Sequence, residues 1–239
     1  RNDGITAIAA ICLAPQNSRT SVGLYRRAVF AEAGDDMAVE FTEAWADHPL
    51  LIEAFAERLR STYRELTAEL GHRIPVLFTA HSVPCRTVQS ASPSTEPGEF
   101  PMNPGPDTYA IDAKHTATLV AAQLTNDGLR DTDWCFAFQS QGIAGGPWIG
   151  PTVEDSLAAL RQAGHTAVII HPIGFLCDHV EILYDIDIGF REYGARIGLR
   201  VERPESLNDS PTLTHALVDL AQRALLRLAA HSAIALPIP

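Results

Sequence analysis

An α/β fold built on parallel strands flanked by helices is predicted by three observations. Two short runs, 76–80 and 167–173, are almost wholly apolar and lack the alternation of a half-exposed strand, which suits strands covered on both faces. Segments with apolar residues at three-to-four spacing alternate with these runs, the order that a parallel sheet with helical crossovers requires. Each run also ends in reactive side chains, His81 and Ser82 after the first and Asp178, His179 and Glu181 after the second. Open α/β sheets place their chemistry at such strand ends, so His81 and Glu181 are expected at one edge.

In chain order, residues 7–13 read as a strand buried on both faces, and the polar stretch 14–21 as a loop at its end. Ser21 is placed to cap a helix carrying Val22, Tyr25 and Ala28, closed by Gly34-Asp35-Asp36. A short strand is expected over 37–45. A scaffold helix follows over 49–70, with Leu51, Phe55, Leu59, Tyr63 and Leu66 on one face. Between Cys85 and Asp107 stand five prolines and no apolar period. This exceeds the roughly 12–15 residues usual for a loop in a compact domain, so the stretch reads as a lid or an insertion.

Asp107-Thr108-Tyr109 opens a helix through 124, and 134–139 is the next strand. The glycine-rich loop 141–151 has neither the dinucleotide spacing nor the lysine-hydroxyl ending of a phosphate cradle. Its Pro147-Trp148 pair instead supplies a flat apolar wall of the kind a macrocycle needs, with ordinary core packing as the alternative. A helix over 153–163 closes at Gly164. After 167–173 a helix is expected from about Asp178. It puts Glu181 and Asp185 at i and i+4 on one face, where two carboxylates can hold a hard divalent cation, and runs on past Asp187 to Phe190 and Tyr193. A solvated acidic face is the other reading of that pair. A strand at 199–202 and a helix over 211–228, capped by Ser210 ahead of Pro211, complete the pattern.

Composition narrows the function. The 239 residues, 46% apolar and 20% charged, suit one large or two modest globular units. A net charge of −11 without a Lys/Arg cluster argues against nucleic acid as a partner. Cys12, Cys85, Cys135 and Cys177 form no CxxC pair, which fits a reducing, cytoplasmic setting better than a zinc ribbon or a disulfide framework. No apolar run reaches eighteen residues, so no transmembrane segment is expected.

Three runs carry a family resemblance: FTAHSVP at 78–84, FQSQGIAGGPWIGPTVEDSL at 138–157 and PIGFLCDHVEILYDID at 172–187. In this order they resemble the signature segments of ferrochelatases, enzymes that insert ferrous iron into a porphyrin, and the similarity extends from Gly4 to about Leu228. The resemblance implies Rossmann-like parallel sheets in a two-lobed chelatase architecture, with the first lobe incomplete because a segment is expected to precede Arg1. It divides the chain into 1–36 as the remainder of the first lobe, 37–203 as the second lobe with the metal site, and 204–239 as a helix packing back on the first. It makes His81 and Glu181 the catalytic and metal-binding pair, Asp185 an outer metal site, and Ser21, Tyr25, Val83 and Trp148 the porphyrin-binding residues. Asp178 and His179 are then expected to hold Glu181 by hydrogen bonds. One turn beyond Asp185 some relatives have another acid, where this chain has Gly189. Some ferrochelatases carry an iron–sulfur cluster on cysteines near the C-terminus, and 229–239 contains none, so no cluster and no organic cofactor is expected.

A neutral imidazole, with an ordinary pKa of about 6.5, can accept a porphyrin proton or bind a borderline metal at neutral pH, which suits His81 to either task. Two other classes stay open on the sequence: a porphyrin- or haem-binding fragment without turnover, and a divalent-metal hydrolase using His81 and Glu181. Protoporphyrin and coproporphyrin are equally compatible with these residues.

Overall fold

The computed structural model describes residues 3–35, 37–85, 88, 107–142 and 146–234. The proline-rich stretch, apart from Cys85, Val88 and Asp107, lies outside these residues. The elements are β1 (Ala7–Ile11), α1 (Val22–Ala33), β2 (Ala38–Thr42), α2 (Pro49–Leu70), β3 (Val76–His81), α3 (Tyr109–Gln123), β4 (Trp134–Gln139), α4 (Val153–Gln162), β5 (Ala167–Pro172), α5 (Val180–Tyr184), a π-helical turn (Asp185–Phe190), α6 (Arg191–Ile197), β6 (Arg200–Glu202) and α7 (Pro211–Ile234). Two parallel sheets result, β1-β2 and β4-β3-β5-β6.

The four-stranded sheet is a middle layer. Val76, Phe78 and Ala80 of β3 turn to a core shared with α2, α3 and α7, including Phe55, Leu59, Tyr63, Ala117, Val120 and Ala216. Leu77 turns the other way, to a second core with Leu157 of α4, Ile182 of α5 and Phe190. Both faces being covered, β3 and β5 need mostly apolar side chains without alternation, which is the pattern their sequences show. β1 differs from the doubly buried strand expected, since Ala7 and Ile8 are exposed. Only β2 flanks it among the described residues.

β2 pairs with β1 from Ala7↔Ala38 to Ile11↔Thr42. A division after residue 36 therefore cuts between two strands of one sheet. Both strands are shorter than 7–13 and 37–45, because beyond Thr42 the chain turns to bury Trp45, whose indole N–H donates to the Cys12 carbonyl at 2.8 Å. α7 packs on β1, β2 and α2.

Inside the core stands His171 of β5, packed against the rings of Phe55 and Phe78. Burial pushes its pKa down to about 3, opposed by its hydrogen bond with the Phe55 carbonyl and reinforced by the Arg203 cation. The unfolded chain returns it to about 6.5. The native state thus binds fewer protons, so this contribution is complete above pH 6.5 and is lost as pH falls toward 3. Between pH 7 and 4.5 the wild type is expected to lose about 2–3 kcal/mol more than His171→Leu in urea titrations. Parallel pH curves for the two would show that His171 is charged in the native state.

Candidate active site

The register of the parallel strands builds the site. β3 pairs with β4 up to His81↔Gln139 and with β5 up to Thr79↔Pro172, so three strand ends finish side by side. The chain leaving β5 must then cross the end of β3, and Gly174 permits it. Its N–H donates to the Thr79 carbonyl at 3.2 Å, and a Cβ there would stand 2.7 Å from the Ala80 Cβ. From that crossing the backbone reaches α5, and Glu181 meets His81 with Nε2 to Oε1 at 3.0 Å. The two residues that the sequence placed at one edge are in direct contact. About a third of each side chain remains open to the surface, so the pair is reachable from outside.

The proton arrangement follows from the neighbours. His81 Nδ1 lies 2.5 Å from the Ser82 carbonyl, which can only accept, so Nδ1 carries a hydrogen. Nε2, the remaining ring nitrogen, faces the Glu181 carboxylate and can hold a second proton there. Removing that proton leaves a basic imidazole nitrogen beside a carboxylate, a unit able to take a proton back.

Aromatic rings frame the pair. The His81 ring centroid is 6.5 Å from Trp148 and 6.4 Å from Phe175, and Phe175 lies 5.1 Å from the ring of His179. Trp148 is fixed by its backbone: Ile149 N–H donates to the Val83 carbonyl, Cys85 N–H to the Pro147 carbonyl, and Ser82 Oγ to the Ile149 carbonyl. Beneath His81 sits Tyr109, hydrogen-bonded to a backbone group of His81. Burial, with Asp107 and Glu181 nearby, pushes its phenol well above the usual value and keeps it protonated.

Asp185 is anchored elsewhere, accepting a hydrogen bond from Ser140 Oγ at 2.5 Å. Thus Glu181 meets the end of β3 and Asp185 the residue after β4. Among the described residues no group of three His, Cys, Asp or Glu side chains could hold a metal, so Asp185 does not join the pair as a third donor. Val83 is buried in the main core and offers little wall surface. Tyr25 is more than half exposed on α1. Ser21 stands at the N-cap of that helix with φ −127° and ψ −73°, and its side chain makes no capping bond; the Ser18 carbonyl accepts from Gly23 N–H instead. The loop before α1 is nonetheless tied toward the site. Gln16 donates to the Ile173 carbonyl, Arg19 N–H to Asp107 and Asn17 N–H to Asp112.

The helix after β5 departs most from expectation. It begins at Val180, not Asp178, and widens into a π-helical turn at Asp185–Phe190. Its buried residues Ile182, Ile186 and Phe190 recur every four positions. In an α-helix such a row drifts by about 40° at each step, and the wider turn keeps all three on the core. Asp178 and His179 do not hydrogen-bond Glu181 either. Asp178 binds Arg203, Ser206 and Asn208, while the His179 ring packs at a tilt against Phe175. Burial alone would raise the Asp178 carboxyl, but Asn208, Ser206 and Arg203 hold it below its ordinary range.

Phe175, Tyr109, Ser140 and Arg203 are thus site residues beyond the sequence reading. Tyr109 directly opens α3 and Phe175 lies inside the third motif, so both had a positional signal. Ser140 takes φ +60°, and Arg203 arrives from a linker, neither of which any periodicity reveals.

Comparison with known proteins bears on the fold and the family. The solved structures of SirB from Bacillus subtilis with Fe3+ (TM-score 0.56) and of the sirohydrochlorin chelatase SirB from Bacillus subtilis subspecies spizizenii with cobalt (0.53) share the fold at 12% identity. Each alignment covers 93% of this chain and 73% or 71% of the other. A ferrochelatase of Acidobacterium capsulatum is 62% identical over 97% of this chain and 70% of its own length. One from Herpetosiphon aurantiacus is 35% identical over 91% of this chain and 65% of its own length. The chain therefore spans about two thirds of these relatives. Since the family model for ferrochelatase also matches residues 1–225, the chain belongs to the ferrochelatase family.

Proposed function

We propose that this chain carries the catalytic centre of a ferrochelatase, inserting ferrous iron into protoporphyrin IX or coproporphyrin III in haem biosynthesis. The observation that carries the reading is the 3.0 Å contact of His81 Nε2 with Glu181 Oε1, at a sheet edge with the rings of Trp148 and Phe175 beside the imidazole. Insertion replaces two pyrrole protons by one Fe2+, so the reaction needs proton acceptors at the ring face and no change of oxidation state. His81 takes a proton at Nε2 while Ser82 holds the opposite nitrogen, and Glu181 stabilises the resulting imidazolium. The flat apolar rings supply contact for the macrocycle, against which the ring can be bent.

Iron is a substrate here, and no resident cofactor takes part in this reading. The four scattered cysteines support a cytoplasmic setting. No helix among the described residues is long and apolar enough to cross a membrane. A hydrolytic metal centre is less well supported, because such centres use three protein ligands and among the described residues only two donors meet here.

The test mixes the chain anaerobically with each porphyrin and ferrous iron, following ring binding by fluorescence quenching and metallation by the visible absorption bands. Binding with metallation that disappears in His81→Ala is expected. Binding without metallation would make the chain a porphyrin-binding fragment.

A further inference from the structure

One buried cation holds both ends of the segment that carries Glu181. Arg203, in the linker between β6 and α7, has a side chain only 9% exposed. Its guanidinium forks onto Asp187 through Nε at 2.9 Å and Nη2 at 2.8 Å, while Nη1 reaches Asp178 at 3.1 Å. Nη1 also donates to Ser206 Oγ and the Pro204 carbonyl, so the group has little freedom to move. Asp178 precedes α5 and Asp187 lies in the π-helical turn, so the two carboxylates bracket Glu181 and Asp185.

Beyond the Ser140–Asp185 hydrogen bond and the His81–Glu181 contact, the segment has little else to fix it. Val180, Leu183, Tyr184 and Ile188 are exposed, leaving one buried row of Ile182, Ile186 and Phe190. A single row restrains a helix against lifting but weakly against rotation or sliding. Two carboxylates bound to one rigid fork remove both motions. The linker adds backbone closure, since Asn208 N–H donates to the Leu176 carbonyl and the Asp178 N–H to Asn208 Oδ1.

We propose that Arg203 is a positioning residue for metallation, setting the reach of Glu181 to His81 by clamping Asp178 and Asp187. This rests on the chelatase reading above. Asp178 then serves as the anchor of the segment and the linker as its brace.

The test compares the chain with Arg203→Lys, Arg203→Met and Asp187→Asn, measuring kcat and porphyrin KM for metallation, Tm, and amide exchange by mass spectrometry over 178–190. In Asp187→Asn and Arg203→Lys, kcat is expected to fall 10- to 100-fold with KM within twofold, and amides of 178–190 to exchange at least 10-fold faster while those of α2 do not change. A lysine presents a point charge in place of a fork. Arg203→Lys should therefore recover most of the Tm lost in Arg203→Met and little of the kcat. Recovery of Tm and kcat together would reduce Arg203 to a structural ion pair and overturn the proposal, as would unchanged exchange over 178–190. If the unaltered chain binds porphyrin but does not metallate it, the functional reading fails by itself. The exchange comparison then decides the clamp alone, faster exchange supporting it and unchanged exchange overturning it.

Discussion

Glu181→Gln is expected to lower the rate of metallation by about 10²- to 10⁴-fold, the range a positioned acid–base group contributes, while porphyrin quenching stays within a factor of two or three. The amide is nearly isosteric, so the rings of Trp148 and Phe175 keep their places. What changes is the proton inventory. Glutamine can donate to His81 Nε2 and thereby occupy the basic nitrogen, and it carries no charge to stabilise an imidazolium. Asp185→Asn should cost less than 10-fold, because Asp185 is engaged by Ser140 and does not touch His81. Anaerobic stopped-flow absorbance on both variants separates the two carboxylates. Equal losses would show that Asp185 shares the proton or metal path, and an unaffected Glu181→Gln would remove the pair from the chemistry.

Gly174→Ala is the second large effect, and it acts through space alone. The added methyl would lie 2.7 Å from the Ala80 Cβ and 2.9 Å from its Cα, and backbone cannot rotate away as a flexible side chain can. Overpacking of this kind costs about 1–3 kcal/mol. For a chain of this length that is roughly 3–10 °C in Tm. Relief requires the end of β3 to shift, and His81 is the next residue. A displacement near 1 Å at a reacting group can cost about 10²-fold in rate. Metallation by Gly174→Ala should therefore fall by about that factor at temperatures where circular dichroism still reports a folded chain. A loss of Tm with full specific activity would show that the strand end absorbs the methyl without moving the imidazole.

Those two residues mark how far the sequence could be read. His81 and Glu181 were legible as a pair because each follows an apolar run, and a parallel sheet brings the ends of such runs to one edge. Spacing also put Glu181 and Asp185 on one helical face, but their separate partners depend on where β3 and β4 end, which only the register of all three strands fixes. The role of Asp178 was misplaced for a related reason. Its partner Arg203 lies in an irregular linker whose path has no periodic signature, so the nearest charged neighbour in sequence looked like the natural one. Ser21 has the residue type of a helix cap and lacks the required backbone angles, and a residue type alone does not set them. The π-helical turn left a trace in the strict four-residue recurrence of Ile182, Ile186 and Phe190, which an α-helical template absorbs as noise.

The packing of α7 on β1 and β2 also dictates an order of assembly during synthesis. These early strands are completed by a late helix, with Arg227 of α7 paired to Glu40 of β2. At roughly 5–20 residues per second, the stretch of about 170 residues from Thr42 to Pro211 occupies a ribosome for on the order of 10–30 s. Through that interval the strand pair waits without its cover, while β3, β4 and β5 have already emerged. The reactive edge can therefore take shape on the nascent chain before β1 and β2 are sealed. A strand pair made ahead of that edge is protected from aggregation after it.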